Sequence, residues 1–220
     1  MELTVDALAG AGAFAPAKQT YVAWAIKRAL DIMMAAALLL LSVPVMILVA
    51  FAIRTTSRGS IIFRQSRLGR DGRKFMMYKF RTMRLGAESH EEQLAKLNGD
   101  RVFLKIADDG RVTPVGRFLR KYSLDELPQL INVLRGDMSL VGPRPLLPSD
   151  MRKFPRGHWR RRFTVPPGLT GLWQVSGRSL CSDVERIRLD LEYVERWSLW
   201  LDLWILLQTP AVVLMGRGAY

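Results

Sequence analysis

The chain has 220 residues, with 33 Lys or Arg against 20 Asp or Glu and a net charge of +13. That length fits one domain with room for an anchor or tail, and the charge points to anionic partners such as nucleic acid, lipid head groups or phosphorylated substrates. The single cysteine, Cys181, excludes an internal disulfide, and the two histidines, His90 and His158, leave too few ligands for a zinc site or a Cys/His pair, so any metal would be oxygen-bound, as magnesium is.

Residues 1–20 are Ala/Gly-rich, carry Glu2 and Asp6, and lack the basic start of a signal peptide; they read as a mobile tail. From Ile32 to Ile53 no residue is charged. A helix over that run spans roughly 33 Å, enough for a bilayer core. Length alone favours one transmembrane span. Pro44, however, removes a helical N–H and clashes with the preceding turn, while Ser42 can satisfy a freed backbone group nearby. Basic residues also flank both ends: Lys18, Lys27 and Arg28 before, Arg54, Arg58, Arg64, Arg67 and Arg70 after. Such flanks prefer the cytoplasm, and a helix that breaks at Ser42–Pro44 and returns through the same leaflet satisfies both. Both topologies fit the residues.

Beyond it, "SIIFRQSRLGRDGRKFMMYKFRTM" reads as two short strands around an Asp71-Gly72 turn. The arginines and lysines crowding this hairpin form a solvated basic face that suits anionic lipid. A nucleic-acid surface fits less well beside a membrane anchor and without a DNA-binding motif. Residues 84–98 have the pattern of an amphipathic surface helix, followed by a turn at Asp108-Asp109-Gly110.

Next comes "SLDELPQLINVLRG", where Leu127, Leu130, Ile131 and Leu134 recur at helical spacing and Gly136 marks the end. Ser123 and Glu126 match a capping box, which makes the acids structural. Pro128 conflicts with a helix starting at Ser123, and favours a start at Asp125 to Leu127. Either start leaves two carboxylates at the positive end of a helix, downstream of Arg117, Arg120 and Lys121. They are caps or catalysts.

Two loops bear on that choice. Arg144 stands between Pro143 and Pro145, whose restricted backbones would present one guanidinium to a phosphate at little ordering cost. "TVPPGLTGLWQVSGR" holds three glycines and ends on Arg178; such a loop lets backbone N–H groups approach an anion. A second apolar stretch, about 197–215, has Trp197, Trp200 and Trp204 at steps of three and four, as in a helix lying at head-group level. The same stretch suits a core helix or a homodimer contact.

Together, "KRALDIMM", the basic hairpin, "RVTPVGRFLRKYSLDELPQLINVLRGDMSLVGPRP", "PGLTGLWQVSGR" and "LDLEYVERWSLWLDLWIL" closely resemble the bacterial sugar transferases, the monotopic phosphoglycosyl transferases, in the short form with the catalytic unit only. The likeness runs from about Lys27 to Gln208. It implies transfer of a sugar 1-phosphate from a UDP-sugar to polyprenyl phosphate, with magnesium and release of UMP, at the start of exopolysaccharide or related glycan assembly. The family's acidic dyad falls on Asp125, as nucleophile forming a phosphosugar-aspartyl intermediate, and on Glu126, as magnesium ligand. Phosphate- and nucleotide-binding positions fall on Lys79, Arg120, Arg144 and Arg178, and a further carboxylate on Asp190. "GLWQVSGR" and "GRGAY" look like members that handle galactose or glucose.

The resemblance also implies a mixed α/β protein of the inner membrane facing the cytoplasm: a tail (1–20), a re-entrant helix (21–56) broken at Ser42 and Pro44, and a catalytic domain (57–220) with interfacial amphipathic helices. Two rivals stay open. In one, polyprenyl phosphate attacks the donor directly and Asp125 only binds metal; in the other, the protein is a non-enzymatic basic membrane scaffold.

Overall fold

The computed structural model describes residues 21–87, 109–152, 157–177 and 181–215. The N-terminal tail, Asp108, Arg178 and most of the surface helix read over 84–98 lie outside the described residues. The described start of that segment is a turn in which Ala87 N–H reaches Arg84 O at 3.3 Å.

The architecture is mixed α/β, with one long apolar N-terminal helix and a small globular part. Helix α1 (Tyr21–Thr56) buries a stripe at steps of three and four: Lys27, Asp31 and Ala35, then Leu39 and Met46 in part, then Val49 and Ile53. Its other faces expose Leu40, Leu41, Ile47, Leu48 and Phe51. The sequence leads one to expect two helices around a break; the structure has one, running through Pro44. The Ser42 hydroxyl donates to Leu39 O at 3.0 Å, next to the Leu40 carbonyl that Pro44 leaves without its helical donor.

Strands β1 (Ile62–Leu68) and β2 (Lys74–Phe80) pair antiparallel, with Ile62 opposite Phe80 and Leu68 opposite Lys74. The expected turn is there: Asp71 and Gly72 both take positive φ, 56° and 72°. Helix α2 (Pro114–Lys121) starts on a Thr113 cap whose hydroxyl accepts Gly116 N–H, with Pro114 at the first helical position. Helix α3 (Gln129–Arg135) ends at Gly136, φ 91°.

Strands β3 (Ser139–Val141) and β4 (Gly168–Thr170) form a short parallel pair. Their glycines allow the two loops to touch. A Cβ on Gly168 or Gly171 would collide with the Gly142 backbone. These two glycines therefore serve close chain packing, not the approach to an anion expected of the loop. Helix α4 (Leu172–Ser176) follows, then α5 (Asp183–Arg196), capped by Ser182, and α6 (Leu199–Met215).

The main core gathers Ala35 of α1, Met77 of β2, Leu130 and Val133 of α3, Leu140 and Val141 of β3, Tyr193 of α5 and Ile205 of α6. A second cluster joins Val49 and Ile53 to Phe80 and Leu119. The globular part thus grips α1 near both ends. At the first end the grip is polar: Lys27 Nζ lies 2.6 Å from Asp202 Oδ2, Asp31 Oδ1 accepts Leu140 N–H at 3.1 Å, and Arg28 donates to the Val133 and Leu134 carbonyls at the end of α3. Trp197 corrects the expectation of three tryptophans on one interfacial face. It is buried, stacks on Trp24 at 4.5 Å, and donates Nε1–H to Asp202 Oδ2 at 3.2 Å, leaving Trp200 and Trp204 exposed.

Candidate active site

Between α2 and α3 the chain turns sharply. Ser123 takes a left-handed conformation, φ 54°, and a single 3₁₀ turn carries Leu124, Asp125 and Glu126 before Pro128 precedes α3. Ser123 makes no side-chain cap to this turn. Glu126 does not reach back to it either: Oε1 accepts Lys79 Nζ at 2.7 Å and Arg144 Nη2 at 3.0 Å. The capping-box reading ends there.

Each cation comes from a different element. Lys79 stands near the end of β2, 3.7 Å from Asp125 Oδ2 as well. Arg144 follows β3, its carbonyl accepting Arg162 Nη2–H at 2.7 Å, and its guanidinium carbon lies 5.8 Å from the Trp173 ring centre. Arg120, on α2, anchors Nε to Thr82 Oγ1 at 3.0 Å and contributes positive potential at Asp125. A cleft beside Glu126 is lined by Arg67, Met77, Gln129, Arg144, Pro145 and Gly168. Gln129 Nε2 is buried with no hydrogen-bond partner among the described residues, a donor left for a bound group.

The two acids are driven apart. Asp125 is 6% exposed, and burial raises its pKa above the ordinary 3.8, with Glu126 pushing the same way against the cations. Burial acts on Glu126 too, but the charges and hydrogen bonds of Lys79 and Arg144 outweigh it and bring its pKa to about 2. Such a split assigns different tasks to adjacent carboxylates: a fixed anion and a group poised to change charge.

Asp190 does not join the dyad. It lies on α5, 2.6 Å from Arg162 Nη2, and its carboxylate accepts the Arg144 backbone N–H, so it holds the Arg144 loop both directly and through Arg162. Arg186 sits 4.3 Å from the Trp173 ring centre, its pKa lowered to about 9, first by burial. Arg162, Arg186 and Trp173 form a buried platform behind Arg144 that the sequence reading did not single out. The available signal was Arg186, three residues after Asp183 and four before Asp190 on one helix. Arg178 lies outside the described residues.

As to a metal, no group of three or more His, Cys, Asp or Glu converges among the described residues. Magnesium nonetheless fits: it takes one or two carboxylates and completes its shell with substrate phosphates and water. Glu126 is held ionised, and among the described residues its hydrogen bonds fall on Oε1, which leaves Oε2 for a cation.

The family model for bacterial sugar transferase matches residues 22–216. The chain belongs to the bacterial sugar transferase family. Among curated members of the family it is 48% identical over 163 residues to the galactosyl transferase CpsE of Streptococcus agalactiae, covering 73% of this chain and 36% of that protein. It is 42% identical over 201 residues to the UDP-galactose-lipid carrier transferase of Erwinia amylovora, covering 89% and 42%. Against the exopolysaccharide production protein ExoY of Rhizobium meliloti the identity is 40% over 202 residues, 88% of each. The chain thus spans less than half of the first two bacterial sugar transferases and nearly all of the third.

Proposed function

We propose that this sugar transferase moves a hexose 1-phosphate from a UDP-hexose to polyprenyl phosphate and so initiates exopolysaccharide or related glycan assembly. The observation that carries the reading is the dyad itself: a buried, uncapped carboxylate at Asp125 beside an ionised Glu126 that Lys79 and Arg144 hold. Relatives named for galactosyl transfer, for a lipid carrier and for exopolysaccharide production support the donor and acceptor classes.

An Asp125 oxygen attacks the β-phosphorus of the donor, the bond to UMP breaks, and UMP leaves. An oxygen of polyprenyl phosphate then attacks the same phosphorus, freeing the Asp125 carboxylate and giving a polyprenyl diphosphosugar. Carboxylate nucleophiles suit this because the acyl phosphate formed is a high-energy species that a second phosphate can intercept. Arg144, Arg120 and Lys79 neutralise and orient the diphosphate oxygens, and Glu126 and Asp190 hold these cations in place directly or through Arg162. Magnesium, bound at Glu126, would supply Lewis-acid neutralisation of the diphosphate.

The anchor is best read as re-entrant, entering and leaving the bilayer on the cytoplasmic face. The globular part packs on α1 near Lys27 and again near Ile53, which favours both ends on one side, and Arg54 and Arg58 at the second end favour the cytoplasm. Exposed Trp200 and Trp204 suit α6 to the head-group layer of the same leaflet.

Intact mass after incubation with magnesium and single UDP-sugars, without acceptor, tests the reaction. A hexose-phosphate adduct that is absent in Asp125→Asn is expected. UMP release only on adding polyprenyl phosphate, with no adduct, would replace this reading with direct displacement; no release under any condition would leave the scaffold. For topology, Tyr21→Cys and Ser57→Cys, each in a Cys181→Ser background, should resist an impermeant thiol reagent added outside intact cells. Labelling of one end would make α1 a span.

A further inference from the structure

We propose a second anion site, for the phosphate group of a lipid, in the cleft where α1 meets the start of α2. It goes beyond the transfer reaction and does not depend on it. The cleft is lined by Thr56, Ser57, Arg58, Arg84, Leu85 and the Thr113–Pro114 start of α2. The last supplies a positive helix end.

Beside the cleft lies a buried guanidinium. Arg81 is 8% exposed and donates Nη2–H to Ser57 O at 2.9 Å and to Ser57 Oγ at 2.8 Å. Its Nε and Nη1 have no hydrogen-bond partner among the described residues. Nη1 comes 2.5 Å from where a Cβ on Gly59 would stand, and the Leu85 side chain approaches the same point at 2.8 Å, so the unused donor lies directly behind the Leu85 wall of the cleft. Burial and then the charge of Arg54 lower the Arg81 pKa, as happens to a cation without a counter-charge. Among the described residues no carboxylate pairs with Arg58, Arg81 or Arg84. Asp109, on the strand-like approach to α2, is taken by Arg111 at 2.6 Å.

Three guanidinium groups and a helix start without an acid favour a doubly charged or bidentate oxyanion, for which phosphate is the common biological form. A lipid is favoured as its carrier because the cleft opens at the end of α1, a helix that exposes Ile47, Leu48 and Phe51 on its way there, and is itself lined by exposed Leu85. It is not the dyad: Pro114 and Arg120 stand at opposite ends of α2, roughly 9 Å apart.

The test is native mass spectrometry of the full chain in detergent, comparing wild type with Arg58→Gln/Arg84→Gln. Added in turn are polyprenyl monophosphate, phosphatidylglycerol, phosphatidylcholine and inorganic phosphate. Roughly tenfold or greater loss of affinity in the variant is expected for one phosphate-bearing lipid beyond any loss for phosphatidylcholine, since each basic contact contributes severalfold. Whichever of the first two lipids shows it is the source. Covalent labelling by UDP-sugar should be equal in both proteins, a control for intact folding that reads a different site. Equal retention of every lipid by both proteins, or a difference for inorganic phosphate alone, would overturn the proposal.

Discussion

Asp125 and Glu126 are buried neighbours whose pKa values shift in opposite directions, because Lys79 and Arg144 outweigh burial only at Glu126, and pH separates them. The folded protein binds the Asp125 proton more tightly than the unfolded chain, because its pKa is raised above 3.8. Stability from this group therefore falls as pH climbs from 3.8 through the folded pKa, and above that pKa the full penalty applies. Asp125→Asn is expected to lose the sugar-phosphate adduct while its melting temperature at pH 7 stays level or rises; a clear drop would show that its charge, not its burial, sets its energetics. Glu126 behaves oppositely. Its pKa falls from 4.5 to about 2, so its contribution is complete above pH 4.5 and disappears as pH falls through 2. Glu126→Gln leaves Lys79 and Arg144 uncompensated and should cost about 3 kcal/mol at pH 7 in urea unfolding, with a flatter pH dependence between 4.5 and 2. Residue type and local spacing singled out these acids and Arg144, but left them as caps or turn residues until the family resemblance gave them a site. Arg162 and Arg186 were not, since their part arises only when α5 packs behind the Arg144 loop.

Among the elements, the two strands around Asp71-Gly72 followed from turn chemistry, which is local. The acid-bearing turn did not. Ser123 in a left-handed conformation turns a capping-box pattern into a 3₁₀ corner, and the competing partners for Glu126 come from β2 and the loop after β3. The glycine-rich loop shows the same limit: composition announces close approach but not to what. Here β4 approaches the Gly142 backbone, which sets Arg144 on one side and Trp173 on the other. Gly168→Ala should therefore force the two loops apart, lowering stability by about 3 kcal/mol and abolishing the adduct, measured by thermal unfolding and intact mass. Unchanged adduct formation would mean that the loops can separate without moving Arg144.

At the scale of the molecule, Lys27 and Arg28 were read as a basic flank, yet both are spent inside the fold. Their partners, Asp202 and the end of α3, are far away in sequence, so no local pattern could reveal the pairing. Asp202, an interruption in an apolar helix by composition, joins α1, α5 and α6: Tyr193 Oη lies 2.8 Å from its Oδ1 and Lys27 Nζ 2.6 Å from its Oδ2. Asp202→Asn or Lys27→Met alone strands a buried charge and should cost about 3–5 kcal/mol in detergent unfolding. The double variant should recover most of it. Equal losses in the single and double variants would show that packing, not charge, is what either change disturbs.

The length of α1 answers to the spacing of two protein cores. Its buried stretches at Lys27–Ala35 and Val49–Ile53 are docked separately, so distance and phase between them are both set. One inserted residue would turn the second stretch by about 100°, and seven, which nearly restore the phase, would lengthen the rod by roughly 10 Å. The anchor therefore has no freedom to lengthen or shorten for hydrophobic mismatch. Any mismatch falls on the surrounding lipid, which must adapt to a rod whose length the protein has fixed.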